Sequence, residues 1–185
     1  GRLVASLPAD ALPDAAATLG IGLPSATGTR AFDGVVPHPR STLEQVQNAL
    51  GEGTVLVSPL AMARASATVA SGVAHPPTLV GDQGTVPDAP AQLAGSEQAV
   101  LSALMRDSVG LDEPLTPLRT VGSGAVAAFG GTAGYGPAAT APMYGWCTGY
   151  QGSVAFAVLV ANGTSGAPDP RLARRAADVA ASLLG

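Results

Sequence analysis

Few side chains in this chain could do chemistry, and they stand far apart. His38 and His75 are the only histidines, and each precedes a proline in a loop-like stretch, which reads as two solvated imidazoles. There is no HExxH, no Cys/His cluster and no carboxylate constellation, so no metal site and no cofactor site is expected. Cys147 is the single cysteine, which excludes an internal disulfide and a multi-cysteine zinc centre. All nine basic residues are arginines, so a reaction that needs a lysine cannot occur within this chain. Asp112 and Glu113 lie in a Gly- and Pro-bounded loop and read as solvated charge. "GSGAVA", Gly122 to Ala127, fits GxGxxA but runs into a strand-like segment rather than a helix, which argues against a dinucleotide site. Asn162 opens a sequon by pattern, and patterns that short arise by chance.

The elements that must carry these residues change character along the chain. "LPADALPDAAATLG" places Leu12, Ala16 and Leu19 on one helical face, with Pro13 early and a stop at Gly20. "STLEQVQNALG" has Ser41 and Glu44 at capping-box spacing and ends at Gly51. "SPLAMARASATVASG" has Ser58 as N-cap, Pro59 at the first helical position and Gly72 at the end, with Leu60, Ala63, Ala67 and Ala70 as its apolar stripe. A Pro/Gly-rich stretch follows, with a short strand expected at 78–80. "SEQAVLSALMRDSVG" resumes helix, with Val100, Leu101, Leu104, Met105 and either Ser108 or Val109 on one side. After Pro117 the pattern turns to strands: "TVGSGAVAAFGG", "YGWCTGY" and "SVAFAVLVAN", the last two a hairpin across "YQGS". The unbroken apolar run of the third suggests a strand covered on both faces. "DPRLARRAADVAASLLG" closes as a helix, with Asp169 as N-cap, Pro170 next, and Leu172, Ala176, Val179 and Leu183 as the buried stripe. The expected fold class is α/β, three-layer, with helices on both faces of a small antiparallel sheet. Residues 1–116 form its mainly helical part and 117–185 the sheet plus the C-terminal helix.

The totals fit this picture. The chain has 185 residues, 46% hydrophobic and only 4% aromatic, so its core must be built from Ala, Val and Leu. A formal net charge of -4 argues against a nucleic-acid partner. The longest apolar run, Val154 to Ala161, is too short to span a membrane. The opening "GRLVASLPADALPD" shows no signal peptide, so an export address would lie upstream of Gly1.

Two stretches are more specific. "LGEGTVLVSPLAMARASATVASG", Leu50 to Gly72, resembles the "IGQG…TPLQMA…ANGG" segment of penicillin-binding protein transpeptidase domains, and "PPTLV" at Pro76–Val80 sits where a short strand follows. "VAAFGGTAGYG…YGWCTGYQGSVAFAVLVANGTSG" is similar to that family's "VAGKTGTAEYG…AWFTGYRGDVAFAVLVENGGSG". The resemblance runs from about Leu12 to the C-terminus. It implies acyl transfer on D-Ala-D-Ala peptides of peptidoglycan, with a stem peptide or a β-lactam as ligand if the parent is active. It also implies a location outside the cytoplasmic membrane, anchored through upstream segments.

The motifs carry over unevenly. The lysine of KTG falls on Phe129, its threonine on Gly130 and its glycine on Gly131, while Thr132 matches the threonine that follows and Trp146 the aromatic of the neighbouring strand. These five residues are the expected substrate-cleft positions, and no catalytic residue is assigned. SxxK is absent, and SxN would fall just before Gly1, so the expected chain is the C-terminal portion of such a domain, lacking its N-terminal part. Loss of the charge-assisted bond from the lysine, worth about 1.5–3 kcal/mol, points to lost or impaired activity. Phe129→Lys and Gly130→Thr are expected to fit the strand. The alternative is a non-catalytic module that binds peptidoglycan or a division protein. Faces left uncovered by missing strands would favour self-association.

Overall fold

The computed structural model describes residues 4, 6–51, 53–79, 91–122, 124–135, 142–165, 169 and 171–185, and for 162–165 the backbone only. The chain divides into two compact units, Gly1–Leu93 and Ala94–Gly185.

The first unit contains α1 (Ala11–Thr18), α2 (Thr42–Ala49) and α3 (Pro59–Ser71). Pro13 fits in the first turn of α1, where its missing N–H leaves no gap in the ladder. The caps follow the sequence. Ser41 Oγ accepts from the Glu44 N–H at 3.2 Å, while the Glu44 carboxylate accepts from the Arg40 N–H at 2.8 Å. Ser58 Oγ caps α3 by accepting from the Ala61 N–H, and Gly72 ends it at φ +80°.

The expected apolar stripe of α3 is overturned. Ala67 and Ala70 are exposed, and the helix buries Ala61, Arg64, Ser66, Thr68 and Val69. The reason is hydrogen bonding. Arg64 donates through Nη1 to the carbonyls of Gly20 (2.8 Å) and Leu23, and through Nη2 to that of Pro24 (3.3 Å), beside Asp33 at 3.5 Å. Thr68 donates to the Leu19 carbonyl. The turn after α1 has carbonyls that must be satisfied inside the unit, and a cationic side chain satisfies three of them. Of the expected strand at 78–80, Thr78 makes a single parallel bridge to Ala26, and Val80 lies outside the described residues.

The second unit contains α4 (Gly95–Leu111), a 3-10 helix (Glu113–Thr120), β1 (Ala127–Gly134), β2 (Pro142–Gln151), β3 (Val154–Ser165) and α5 (Arg171–Leu184). It is an α/β unit, and its strands form one antiparallel sheet in the order β1-β2-β3. A tight turn at Gly152, φ +56°, makes β2–β3 a hairpin. Asp169 Oδ1 accepts from the Arg171 N–H at 2.9 Å at the start of α5, and Pro170 lies outside the described residues.

One core serves this unit. Val109, Leu115, Leu118, Ala128, Cys147, Phe156, Ala176, Ala177 and Ala180 form its centre. The sequence places Val179 and Leu183 on the buried side of α5. They are 43% and 70% exposed, and Ala173, Ala177 and Ala180 take their place. Leu172 is fully buried at the start of the helix, where α5 lies against the sheet at glycine distance. A methyl group on Gly145 would stand 2.1 Å from the Leu172 carbonyl carbon and oxygen. On α4 the buried residues are Ser102, Met105 and Val109, whereas Val100 and Leu104 are about half exposed. The apolar run of β3 is not buried throughout either, with Val154 54% and Leu159 50% exposed. Val154 stands beside the turn and Leu159 on the face away from α5, so an all-apolar strand does not imply cover on each face.

Candidate functional site

Side chains alternate across a strand, so the pairing register sorts the sheet into two faces. Gly131 pairs with Trp146 and Trp146 with Leu159; Phe129 pairs with Thr148, and Ala133 with Tyr144. These residues share the face opposite the one that holds Gly130, Gly145, Cys147 and Phe156. The second group faces α5 and the 3-10 helix, as the Gly145–Leu172 approach and the common core require.

The expected cleft residues therefore divide. Phe129, Gly131 and Trp146 lie on the face away from α5, and Phe129 and Trp146 are partly buried there. The indole leans over β1. A methyl group on Gly131 would stand 3.0 Å from Trp146 Cζ2, 3.2 Å from Cε2 and 3.3 Å from Nε1. Glycine at 131 thus makes room for the ring as well as shaping the strand. Thr132, opposite Gly145, is exposed.

Gly130 points the other way, into the core. A methyl group there would meet Leu115 Cδ2 at 2.8 Å and the Trp146 carbonyl oxygen at 3.2 Å. Leu115 is 1% exposed and held among its core neighbours. This overturns the expectation that Gly130→Thr fits without rearrangement, because the leucine already fills the space a threonine would take. Leu115 is a determinant that sequence reasoning missed, since its contact with β1 crosses from a 3-10 helix with no periodic signal. Tyr144 and Tyr150 were missed too, though their spacing of two and four from Trp146 places them on its face.

The strand entry is pinned by Gln151, whose amide donates to the carbonyls of Val121 (3.0 Å) and Gly124 (2.8 Å). Thr148, buried, donates to the Phe156 carbonyl at 3.0 Å. Burial pushes the Cys147 thiol up to about 12, so it stays protonated and unreactive at neutral pH. Other polar residues are paired within their own units: in the first, His38 pairs with Asp10 at the surface at 3.0 Å; in the second, Asp112 accepts from the Ser108 hydroxyl and Glu113 pairs with Arg174 at 2.7 Å. No group of three His, Cys, Asp or Glu side chains that could hold a metal occurs among the described residues, and none of their helices is long and apolar enough to cross a membrane. The three strands carry no charged residue at all. Chemically the described strands offer backbone groups, an aromatic face and hydroxyls.

No family model and no curated protein sequence matches this chain. Solved structures do. Penicillin-binding protein A from Mycobacterium tuberculosis, as its imipenem acyl-enzyme, is 26% identical over 91% of this chain and 40% of its own, with a TM-score of 0.67. PBP2 of Pseudomonas aeruginosa is 19% identical over 98% of this chain and 43% of its own, with a TM-score of 0.75. PBP2 of Helicobacter pylori, in complex with MreC, is 18% identical over 98% of this chain and 37% of its own, with a TM-score of 0.71. The chain therefore spans less than half the length of these proteins and has the fold of that part of them.

Proposed function

We propose that this chain, with its penicillin-binding protein fold, is the C-terminal part of a transpeptidase-like domain acting in peptidoglycan synthesis, and that its acyl transfer is lost or much reduced. The observation that carries the reading is the pair of positions on β1. Where the resemblance puts a lysine, Phe129 stands on a face without charge, and where it puts a threonine, Gly130 is walled off by Leu115. The Thr132 N–H remains as a candidate oxyanion donor. Its working location is outside the cytoplasmic membrane, held by an anchor upstream of this sequence. A stem peptide or β-lactam is the ligand if a longer parent supplies a nucleophile.

The charge-free sheet favours a second reading, a non-catalytic module that binds peptidoglycan or a division protein through the former cleft. Intact-mass spectrometry after incubation with a penicillin tests the first. The expected result is no adduct, and a stable increase of one penicillin per chain overturns it. If the parent carries SxxK, Phe129→Lys is expected to raise its acylation rate with fluorescent penicillin. An unchanged rate in a folded variant would remove Phe129 from the cleft.

A further inference from the structure

In the first unit, residues 20–34 form a strap between two left-handed glycines, Gly20 at φ +88° and Gly34 at φ +91°. The Gly22 N–H donates to the Asp33 carbonyl at 2.8 Å and draws the ends together, as in a compact surface loop. The strap has no core of its own. Within it only Gly20 and Thr27 are buried, Ile21 and Leu23 are partly buried, and Phe32 is 52% exposed.

Polar contacts hold the strap, centred on one side chain. Arg64 of α3, whose side chain is 3% exposed, donates to the carbonyls of Gly20, Leu23 and Pro24 and lies 3.5 Å from Asp33. Asp33 in turn accepts from the Ser25 N–H at 3.2 Å. Further bonds run from the Ala26 N–H to the Pro77 carbonyl at 3.1 Å and from the Ser58 hydroxyl to the Phe32 carbonyl at 2.5 Å. Holding the guanidinium inside is costly. Burial lowers the Arg64 pKa, and Asp33 offsets this only in part. Opening returns the cation to water and gives up little apolar burial. A segment with few buried apolar contacts opens at a lower free energy than the helix it lies on.

We propose that Arg64 is a latch, and that residues 20–34 open together by local unfolding while α3 stays folded. This conformational device stands on the first unit and does not rest on the function proposed above, so the penicillin experiment leaves it untouched.

The test is native-state hydrogen exchange of the full chain, read residue by residue by NMR in urea below the unfolding midpoint. The expected result is one shared opening equilibrium for the Gly22, Ser25 and Ala26 amides, with protection about tenfold or more below that of residues 64–69 in α3. Lysine is a point charge that cannot span three carbonyls, so Arg64→Lys should lower strap protection about another tenfold and leave α4 and α5 unchanged. Equal protection in the strap and in α3 overturns the proposal, because the strap would then open only with the whole unit. Absence of any protection in the strap overturns it too, since nothing would be latched. So does a folded Arg64→Lys with unaltered strap protection. If Arg64→Lys does not fold, the comparison within the unsubstituted chain still decides.

Discussion

Gly130 and Leu115 show how one contact can set what a position tolerates. A threonine at 130 needs space that Leu115 Cδ2 occupies at 2.8 Å from the first added carbon. Gly130→Thr alone should therefore destabilise the second unit by about 1–3 kcal/mol through overpacking. Adding Leu115→Ala should recover part of that loss, although Leu115→Ala by itself costs about 2–5 kcal/mol. A double-mutant cycle by urea unfolding reads the coupling, and strict additivity would mean the two side chains do not meet. Cys147 gives a second residue-scale expectation. Its thiol is raised to about 12 in the folded chain, against an ordinary 9. Whatever stability this group contributes is fully present below pH 9 and falls as pH rises towards 12, because only the unfolded thiol releases its proton in that window. At pH 8 native Cys147 should resist iodoacetamide and react on unfolding. Rapid alkylation of the native chain would contradict the burial.

At the scale of elements, helix caps and strands were legible in the sequence, and helix faces were not. Ser41, Ser58, Gly72 and Asp169 act locally, within a few residues of backbone, so their types suffice to place them. The buried faces of α3, α4 and α5 depend on partners distant in sequence. Arg64 turns inward because the carbonyls of Gly20, Leu23 and Pro24 await a donor, which no periodicity count anticipates. On α5, Ala177 and Ala180 are buried and Leu183 is not, because the docked face is set by the sheet and the 3-10 helix, partners that no local pattern reveals. The contact at Gly145 gives a sharp test. Gly145→Ala puts a methyl group 2.1 Å from Leu172 main-chain atoms, which cannot rotate away. The helix must lift from the sheet, and a loss of about 3 kcal/mol or more in urea unfolding is expected. A near-neutral Gly145→Ala would mean that α5 does not dock as described. The candidate site was half legible: strand alternation separates Phe129 from Gly130, but the wall behind Gly130 comes from the 3-10 helix.

At the scale of the whole molecule, the exposed apolar side chains decide behaviour in solution. Val154 and Leu159 on β3 and Val179 and Leu183 on α5 are each 43% to 70% exposed, and β3 brings no charge to an outer strand position. Apolar outer strands without charged gatekeepers pair readily with other chains. The chain should therefore self-associate, with a scattering mass that rises with concentration. Leu159→Lys should reverse this without loss of helical content. A monomer at every concentration would show that these residues do not make a contact surface. The two units of the chain also call for different probes, since the single tryptophan, Trp146, belongs to Ala94–Gly185.

The wall at Leu115 also limits which sequences lie within easy reach of this one. With leucine at 115, a threonine at 130 is gained only through a less stable protein. Shrinking the leucine first is itself costly. Single substitutions toward that pair are disfavoured in either order, so the two positions are expected to change together.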